Sequence, residues 1–200
     1  MWTEGGPLTE MALLAPRPAD LDDRTLGVLD TGAEDSARFL DLLVAKLEQR
    51  HFLTAVVRVA KPNDREACPA SLLDQLAGQC DVVVIGVCQS SAAAAVTALD
   101  AASLERRVVP CAVVLTGDLR PDGWATAGDD ERLAFVGLRC SPRGLSDDAL
   151  GQLVEESFRE VERAVRSKPG HDPSAGSPRH PPTHFPPRRR REDGEIGCEC

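Results

Sequence analysis

One stretch of the chain, residues 80–99, constrains the fold more than any other. Residues 81–87 hold four valines and an isoleucine without a proline, which is typical of a strand buried on both faces of a parallel sheet. A turn follows at residues 88–91, and the alanines at 92–95 begin a helix. Because the first N–H groups of a helix lack intrahelical acceptors, this strand-turn-helix junction is predicted to hold any binding or catalytic site.

The rest of the chain alternates between apolar β-branched segments and segments with helical periodicity. Strands are predicted at residues 25–29, 55–60, 81–87, 109–115 and 133–138, and helices at 35–50, 69–79, 91–107 and 146–167. This alternation predicts an α/β fold: a single doubly wound parallel five-stranded sheet with the flavodoxin-like strand order 2-1-3-4-5. The domain is predicted to span residues 24–167, between an extended N-terminal arm at 1–23 and a Pro/Arg-rich disordered tail at 168–200.

In that strand order, the loops after the first and third strands face each other across a crevice, which is the usual ligand site of such sheets. The predicted ligand-binding residues of the crevice are Asp30, Thr31 and Gly32 in the first loop, and Gln89, Ser90 and Ser91 in the second. The two serine hydroxyls are suited either to anchoring a carboxylate or phosphate or to capping the following helix, and capping is the simpler interpretation.

Composition limits the classes of partner and cofactor. The formal net charge is −9, and an acidic body repels phosphate backbones, so nucleic acid is not expected as a partner. The sequence has no run of about 18 apolar residues, so no membrane span is predicted, and no secretory signal is recognisable. Seven cysteines without regular spacing fit reduced thiols in a cytoplasmic protein. Because the motifs of nucleotide, nicotinamide and serine-hydrolase sites are missing, no cofactor is predicted.

Cys88 is the candidate catalytic residue, because N–H groups at a helix N-terminus can shift a thiol toward the nucleophilic thiolate. The alternative is a small side chain packed at a crowded turn. Cys198 and Cys200 form either a mobile dithiol or half of a metal site, and no metal is predicted. The four arginines at residues 188–191 are either a solvated run or a contact for an acidic partner.

The order of several segments carries a family resemblance. Residues 26–51, 58–62, 72–87, 98–116 and 143–148 together resemble the UGSC family of small thiol or selenol proteins, itself similar in motif to the selenocysteine-bearing subunits of glycine and proline reductases. The resemblance covers about residues 13–160. The positions that carry it are Asp30, Gly32, Ser36, Phe39, Lys61, Pro62, Cys80, Asp81, Gly86, Asp100, Leu104, Glu105 and Pro110.

The resemblance also implies a departure at the reactive positions. The family has a Cys- or selenocysteine-Gly-Ser-Cys box after the third strand, and its two redox positions fall on Ser90 and Ala93 of this chain. Neither residue can perform two-electron thiol chemistry. Near the fifth strand, Cys140 and Ser141 replace the family's His-Pro element.

Three functions follow from these observations. The preferred one is a degenerate UGSC-like subunit, which pairs with an active Cys-bearing paralogue in a heteromeric enzyme of small-molecule metabolism, or with itself as a homodimer. The second is a thiol-dependent enzyme in which Cys88 is a relocated nucleophile. The third is a small-anion binding module that uses Ser90, Ser91 and the helix terminus and needs no cysteine.

Overall fold

A computed structural model describes residues 14–119 and 133–166. Strands and helices alternate along them, and every boundary lies within two residues of its predicted position. The elements are β1 (Thr25–Asp30), α1 (Ser36–Arg50), β2 (Ala55–Ala60), α2 (Ala70–Gln79), β3 (Val82–Cys88), α3 (Ser91–Arg106), β4 (Cys111–Thr116), a 3-10 helix (Gly117–Leu119), β5 (Ala134–Leu138) and α4 (Asp147–Val165).

The five strands form one parallel sheet in the order β2-β1-β3-β4-β5. The predicted α/β fold and strand order are therefore confirmed. Since all strands run the same way, the loops after β1 and β3 leave the sheet at its carboxyl edge, on neighbouring strands.

Helices cover the sheet on both faces and create two apolar cores. One core lies between the sheet and α1 with α4, and the other lies between the sheet and α2 with α3. β3 contributes to both, with Val82 and Val84 in the first core and Val83 and Ile85 in the second. Every residue of β3 is buried, which confirms the strand predicted from its continuous apolar run.

The starts of the helices follow local side-chain chemistry. Ser90 and Ser146 cap α3 and α4, each accepting a hydrogen bond from the N–H three residues further on, at 3.1 and 3.3 Å. Asp35 precedes α1 in a left-handed conformation, but its carboxylate turns away and accepts from the N–H of Gly144 at 2.8 Å. Pro69 precedes α2 instead of forming its first residue, since its ψ of 135° is extended. No described helix is long and apolar enough to cross a membrane.

The described part of the predicted arm, residues 14–23, lies against the domain. Glu105, fully buried near the end of α3, accepts from the N–H of Ala15 at 2.7 Å and pairs with Arg17 at 3.0 Å. The Arg17 guanidinium also donates to the carbonyl of Ala164 in α4. This segment therefore joins the two helix layers. Residues 1–13 and the predicted tail at 168–200 lie outside the described residues.

Candidate functional site

β3 contains a bulge immediately before the predicted crevice. Ile85 pairs with Val113 of β4 and Cys88 pairs with Leu115, so three steps along β3 match two steps along β4. In a regular strand, three steps would place Ile85 and Cys88 on opposite faces of the sheet. The extra residue instead places both in the core beneath α2 and α3. The bulge therefore decides where the Cys88 thiol lies.

Two buried hydroxyls from the β1–α1 connection hold this bulge. Ser36 Oγ donates to the carbonyl of Gly86 at 2.7 Å and accepts from the N–H of Val87 at 2.6 Å. Thr31 donates twice, from its N–H to the Gly86 carbonyl at 2.9 Å and from Oγ1 to the Val87 carbonyl at 3.0 Å. The loops after β1 and β3 thus meet. The Thr31 hydroxyl is fully buried and bonded within the protein.

Asp30 and Gly32 shape the other side of the same loop. Asp30 Oδ1 accepts from the N–H of Gly32 at 3.0 Å, which closes a small turn. Gly32 has a φ of +79°, and a Cβ there would lie 3.3 Å from the carbonyl oxygen of Lys61. Glycine is favoured on both grounds. Asp30 also borders a shallow cleft of about 190 Å³, whose rim carries the Arg58–Asp41 ion pair.

Gln89 links three loops at the carboxyl edge of the sheet. Its Nε2 donates to the carbonyl of Glu34 after β1 at 2.6 Å, and its Oε1 accepts from Ser141 Oγ after β5 at 2.9 Å. Cys140, the neighbour of Ser141, is exposed. The residue predicted to bind a ligand therefore bridges the crevice, and the loop after β5 belongs to the site.

Charged residues join the same loops from outside. Arg143 pairs with Glu34 at 2.7 Å, and Arg38 pairs with Asp35 at 2.9 Å. The Gly144 N–H, followed by the Arg38 guanidinium, lowers the pKa of the Asp35 carboxyl, because both stabilise its ionised form. These contacts fasten the α1/α4 side of the crevice.

The predicted anion-binding turn is built as a helix start. Ser90 is half-buried, and its Oγ accepts from the N–H of Ala93, so the two implied redox positions are in direct contact. Ser91 is exposed, and the N–H groups of Ser91 and Ala92 come before Ala94, whose N–H makes the first intrahelical hydrogen bond, to the Ser90 carbonyl at 2.9 Å. The turn therefore offers two backbone donors and the Ser91 hydroxyl at the crevice.

Cys88 differs from the expectation of a low-pKa thiol. Its side chain is fully buried, and burial raises the pKa of the thiol to about 11. The Thr97 hydroxyl and the Lys61 ammonium act in the opposite direction but do not compensate. The burial and the raised pKa disfavour the thiolate expectation, because the bulge turns Cys88 under α3, whereas a thiol activated by a helix terminus must lie in front of it.

A buried ion pair near Cys88 escaped the sequence analysis as a functional feature. Lys61 Nζ lies 2.8 Å from Asp100 Oδ2, with the two side chains 0% and 3% exposed. The second oxygen of Asp100 accepts from the N–H of Cys68 at 2.9 Å. The β2–α2 loop is thereby fixed to α3. The sequence feature that could have indicated this pair is Asp100, a single aspartate on the apolar side of an alanine-rich helix, where a charged side chain is tolerated only when it is paired.

Potential metal ligands are not clustered within residues 14–119 and 133–166. No group of three or more His, Cys, Asp or Glu side chains in those ranges could hold a metal ion. The candidate pair Cys198 and Cys200 and the arginine run at 188–191 lie outside the described residues. Of the described cysteines, Cys140 is exposed and the other four are buried.

Comparison with known proteins gives one positive result. The model of the UGSC family matches residues 6–167 of the chain. The chain belongs to the UGSC family. The predicted resemblance is therefore confirmed over the whole sheet and all four helices. Searches among curated proteins and among solved structures returned no match.

The positions that carried the UGSC resemblance have structural roles in this member of the family. Ser36 holds the β3 bulge, Gly32 allows the loop after β1, and the Lys61–Asp100 pair fixes the β2–α2 loop. Glu105 anchors the N-terminal segment. Ser36 and Gly32 act in the loop after β1, and the Lys61–Asp100 pair acts in the β2–α2 loop.

Proposed function

We propose that this UGSC-family chain is an accessory subunit that has lost the thiol box and partners a Cys-bearing paralogue in a heteromeric enzyme acting on small molecules. The observation that carries the proposal is the contact between Ser90 and Ala93 at the start of α3. A dithiol with one cysteine at a helix cap and a second three residues later is a common redox arrangement, since the helix N-terminus stabilises the first thiolate.

The chemistry at these positions is inert in this chain. The Ser90 hydroxyl is committed to capping α3, and Ala93 is buried without a functional group. The thiol nearest to them in sequence, Cys88, is buried with a raised pKa and lacks access to a substrate. The relocated-nucleophile alternative is therefore disfavoured.

The scaffold gives the second support. Ser36, Thr31 and Gln89 still bind the loops around the crevice together, at distances of 2.6 to 3.0 Å. A chain that keeps this framework while its reactive positions are inert is suited to completing or stabilising a related subunit.

Restoring the box tests the site assignment. In Ser90→Cys/Ala93→Cys, the two introduced cysteines should form an intramolecular disulfide, and after reduction the thiol introduced at position 90 should react with iodoacetamide at pH 6.5 faster than a free thiol. Gln49→Cys, at an exposed position of α1, is the matched control and should react as an ordinary thiol. Equal rates at positions 49 and 90 would contradict the assignment of the box to this helix start.

The partnership requires a separate test. The tagged full-length chain, purified from its own cells and analysed by mass spectrometry, should carry a UGSC-family subunit with an intact Cys-Gly-Ser-Cys box in a fixed ratio. The complex should turn over substrate, and the isolated chain should not. Full activity of the isolated chain, or a complex without any family member, would overturn the proposal.

A small-anion module is the second candidate, favoured by the N–H groups of Ser91 and Ala92, which precede the first N–H that bonds within α3, that of Ala94. It predicts that inorganic phosphate protects the full chain against thermal unfolding, and that Ser91→Ala weakens the protection. In the accessory-subunit proposal, phosphate has no effect on the isolated chain.

A further inference from the structure

The outer surface of α3 is apolar along most of its length. Before Arg106, its last residue, the helix carries two charged side chains, Asp100 and Glu105, and both are buried. Leu99 is 67% exposed, which is exceptional for a leucine at the centre of a helix. We call this surface the α3 face; its residues are Ala92, Ala95, Val96, Leu99, Ala102 and Ser103.

The opposite helix layer shows how different this face is. The outer surfaces of α1 and α4 carry several charged side chains each, as solvent-facing helices usually do. Their exposed charged residues are Arg38, Asp41, Glu48 and Arg50 on α1, and Asp147, Asp148, Glu155, Glu156, Arg159 and Arg163 on α4. Both helix layers belong to the same protein in the same solvent, but only the α3 face lacks charged side chains. This difference marks the α3 face as a surface suited to contact with protein.

We propose that the α3 face is a dimer interface between two copies of this chain, with the two α3 helices antiparallel across a twofold axis near Val96 and Leu99. In such an isologous contact the same residues face each other, so an uncharged face meets an uncharged face. Alanine and serine allow the two helices to approach closely, and Leu99 fills the space between them.

The charge distribution favours a second copy of this chain as the partner on the α3 face, and it favours antiparallel α3 helices. The chain has a formal net charge of −9, so copies repel each other across their acidic surfaces and least across this uncharged one. Exposed Arg106, which donates to Ser103 Oγ at 3.2 Å, lies at the carboxyl end of α3, whereas Asp64 lies in the loop after β2, at the carboxyl edge of the sheet where α3 begins. Antiparallel packing brings Arg106 of each copy toward Asp64 of the other, and also opposes the helix dipoles.

The neighbouring helix extends the interface. A 16-residue helix is about 24 Å long, and one such face falls short of the roughly 800 Å² per partner of a stable complex. The outer surface of α2 continues the uncharged surface with Ala70, Ser71 and Gln75. The exposed charge of α2, Asp74, already pairs with Arg107 at 2.9 Å. The α2/α3 layer as a whole is therefore the proposed contact.

The mass of the full-length chain in solution tests the interface. Sedimentation velocity should give a dimer of twice the 21.4 kDa chain mass. Leu99→Glu should raise the dimer dissociation constant about 100-fold or more, because a twofold interface buries the unpaired carboxylate twice. Leu42→Glu is the matched control, since Leu42 is 39% exposed on the charged α1 surface, and its dimer should be as tight as wild type.

A charge-swap experiment tests whether Leu99 lies at the twofold axis and guards against misfolding. Leu99→Glu and Leu99→Lys should each be monomeric, and their equimolar mixture should form heterodimers because position 99 lies near the axis. Recovery in the mixture also shows that both variants are folded. A monomeric wild-type chain, or a Leu99→Glu dimer as tight as wild type, would overturn the interface. Two monomeric variants that stay monomeric when mixed would overturn the placement of the twofold axis near Leu99.

Discussion

Replacing Ser36 with alanine removes the hydroxyl that holds the β3 bulge. In the wild-type chain this buried hydroxyl donates to the Gly86 carbonyl and accepts from the Val87 N–H. In the variant, the Gly86 carbonyl keeps the N–H of Thr31 at 2.9 Å, but the Val87 N–H loses its acceptor. The substitution therefore removes one of the two hydrogen bonds to the Gly86 carbonyl and leaves the buried Val87 N–H without an acceptor.

The magnitude follows from these two changes. A buried unsatisfied donor costs about 1–3 kcal/mol, and the hydrogen bond to the carbonyl is worth about 1 kcal/mol net. The free energy of unfolding should therefore fall by about 2–4 kcal/mol. With a urea dependence of about 2 kcal/mol per molar, the unfolding midpoint should fall by about 1–2 M urea.

Urea unfolding followed by far-ultraviolet circular dichroism measures this loss, and native-state hydrogen exchange locates it. The Val87 amide should exchange faster in Ser36→Ala, because its acceptor is gone. Ser91→Ala is the control: this exposed hydroxyl should contribute within about 0.5 kcal/mol of zero. If Ser36→Ala unfolds within about 0.5 kcal/mol of wild type and the Val87 amide stays protected, the account of the bulge is refuted.

Three further predictions concern buried and charged groups. Lys61→Met should lower the free energy of unfolding by about 3–5 kcal/mol, since it leaves an unpaired buried carboxylate, and adding Asp100→Leu should recover part of that loss in urea unfolding. Cys88, with a pKa of about 11, should be roughly one part in 10⁴ thiolate at pH 7 and should label with iodoacetamide far more slowly than exposed Cys140; equal rates in the native chain would contradict this. Because folding lowers the pKa of the Asp35 carboxyl, the stabilisation from its ionised form is complete above the pKa of the unfolded chain and is lost as pH falls through the pKa of the folded chain. Wild type and Asp35→Asn should therefore differ in unfolding free energy near neutral pH and converge in acid. Unfolding measured across the acid-to-neutral range tests this.

The fold was predictable because its determinants are local. The continuous apolar run of β3 and the spacing of strands and helices depend on residues adjacent in the sequence, and these indicated the sheet order and each boundary within two residues. Ser90 and Ser146 indicate the starts of their helices in the same local way.

The site was less predictable because its determinants are distant in sequence. The bulge depends on Ser36, which reaches β3 across 50 residues, and a regular alternation misplaces Cys88 by one face of the sheet. Gln89 and Ser141 are 52 residues apart, and Lys61 and Asp100 are 39 apart. For each of these polar residues, the neighbouring sequence does not show which residue it bonds to. Sequence patterns therefore predicted the loops but not the contacts between them.

The fate of the box also has a physical rationale within the proposed function. Serine is among the best residues at a helix cap, and alanine is the best residue within a helix. At positions 90 and 93, both choices therefore stabilise the start of α3, where Ser90 Oγ meets the Ala93 N–H at 3.1 Å. A thiol pair would be a weaker cap and would leave a reactive group at the surface. In the proposed function a partner subunit supplies the chemistry, so serine and alanine at these positions would cost this chain no stability, and Gln89 joins the loops around the crevice.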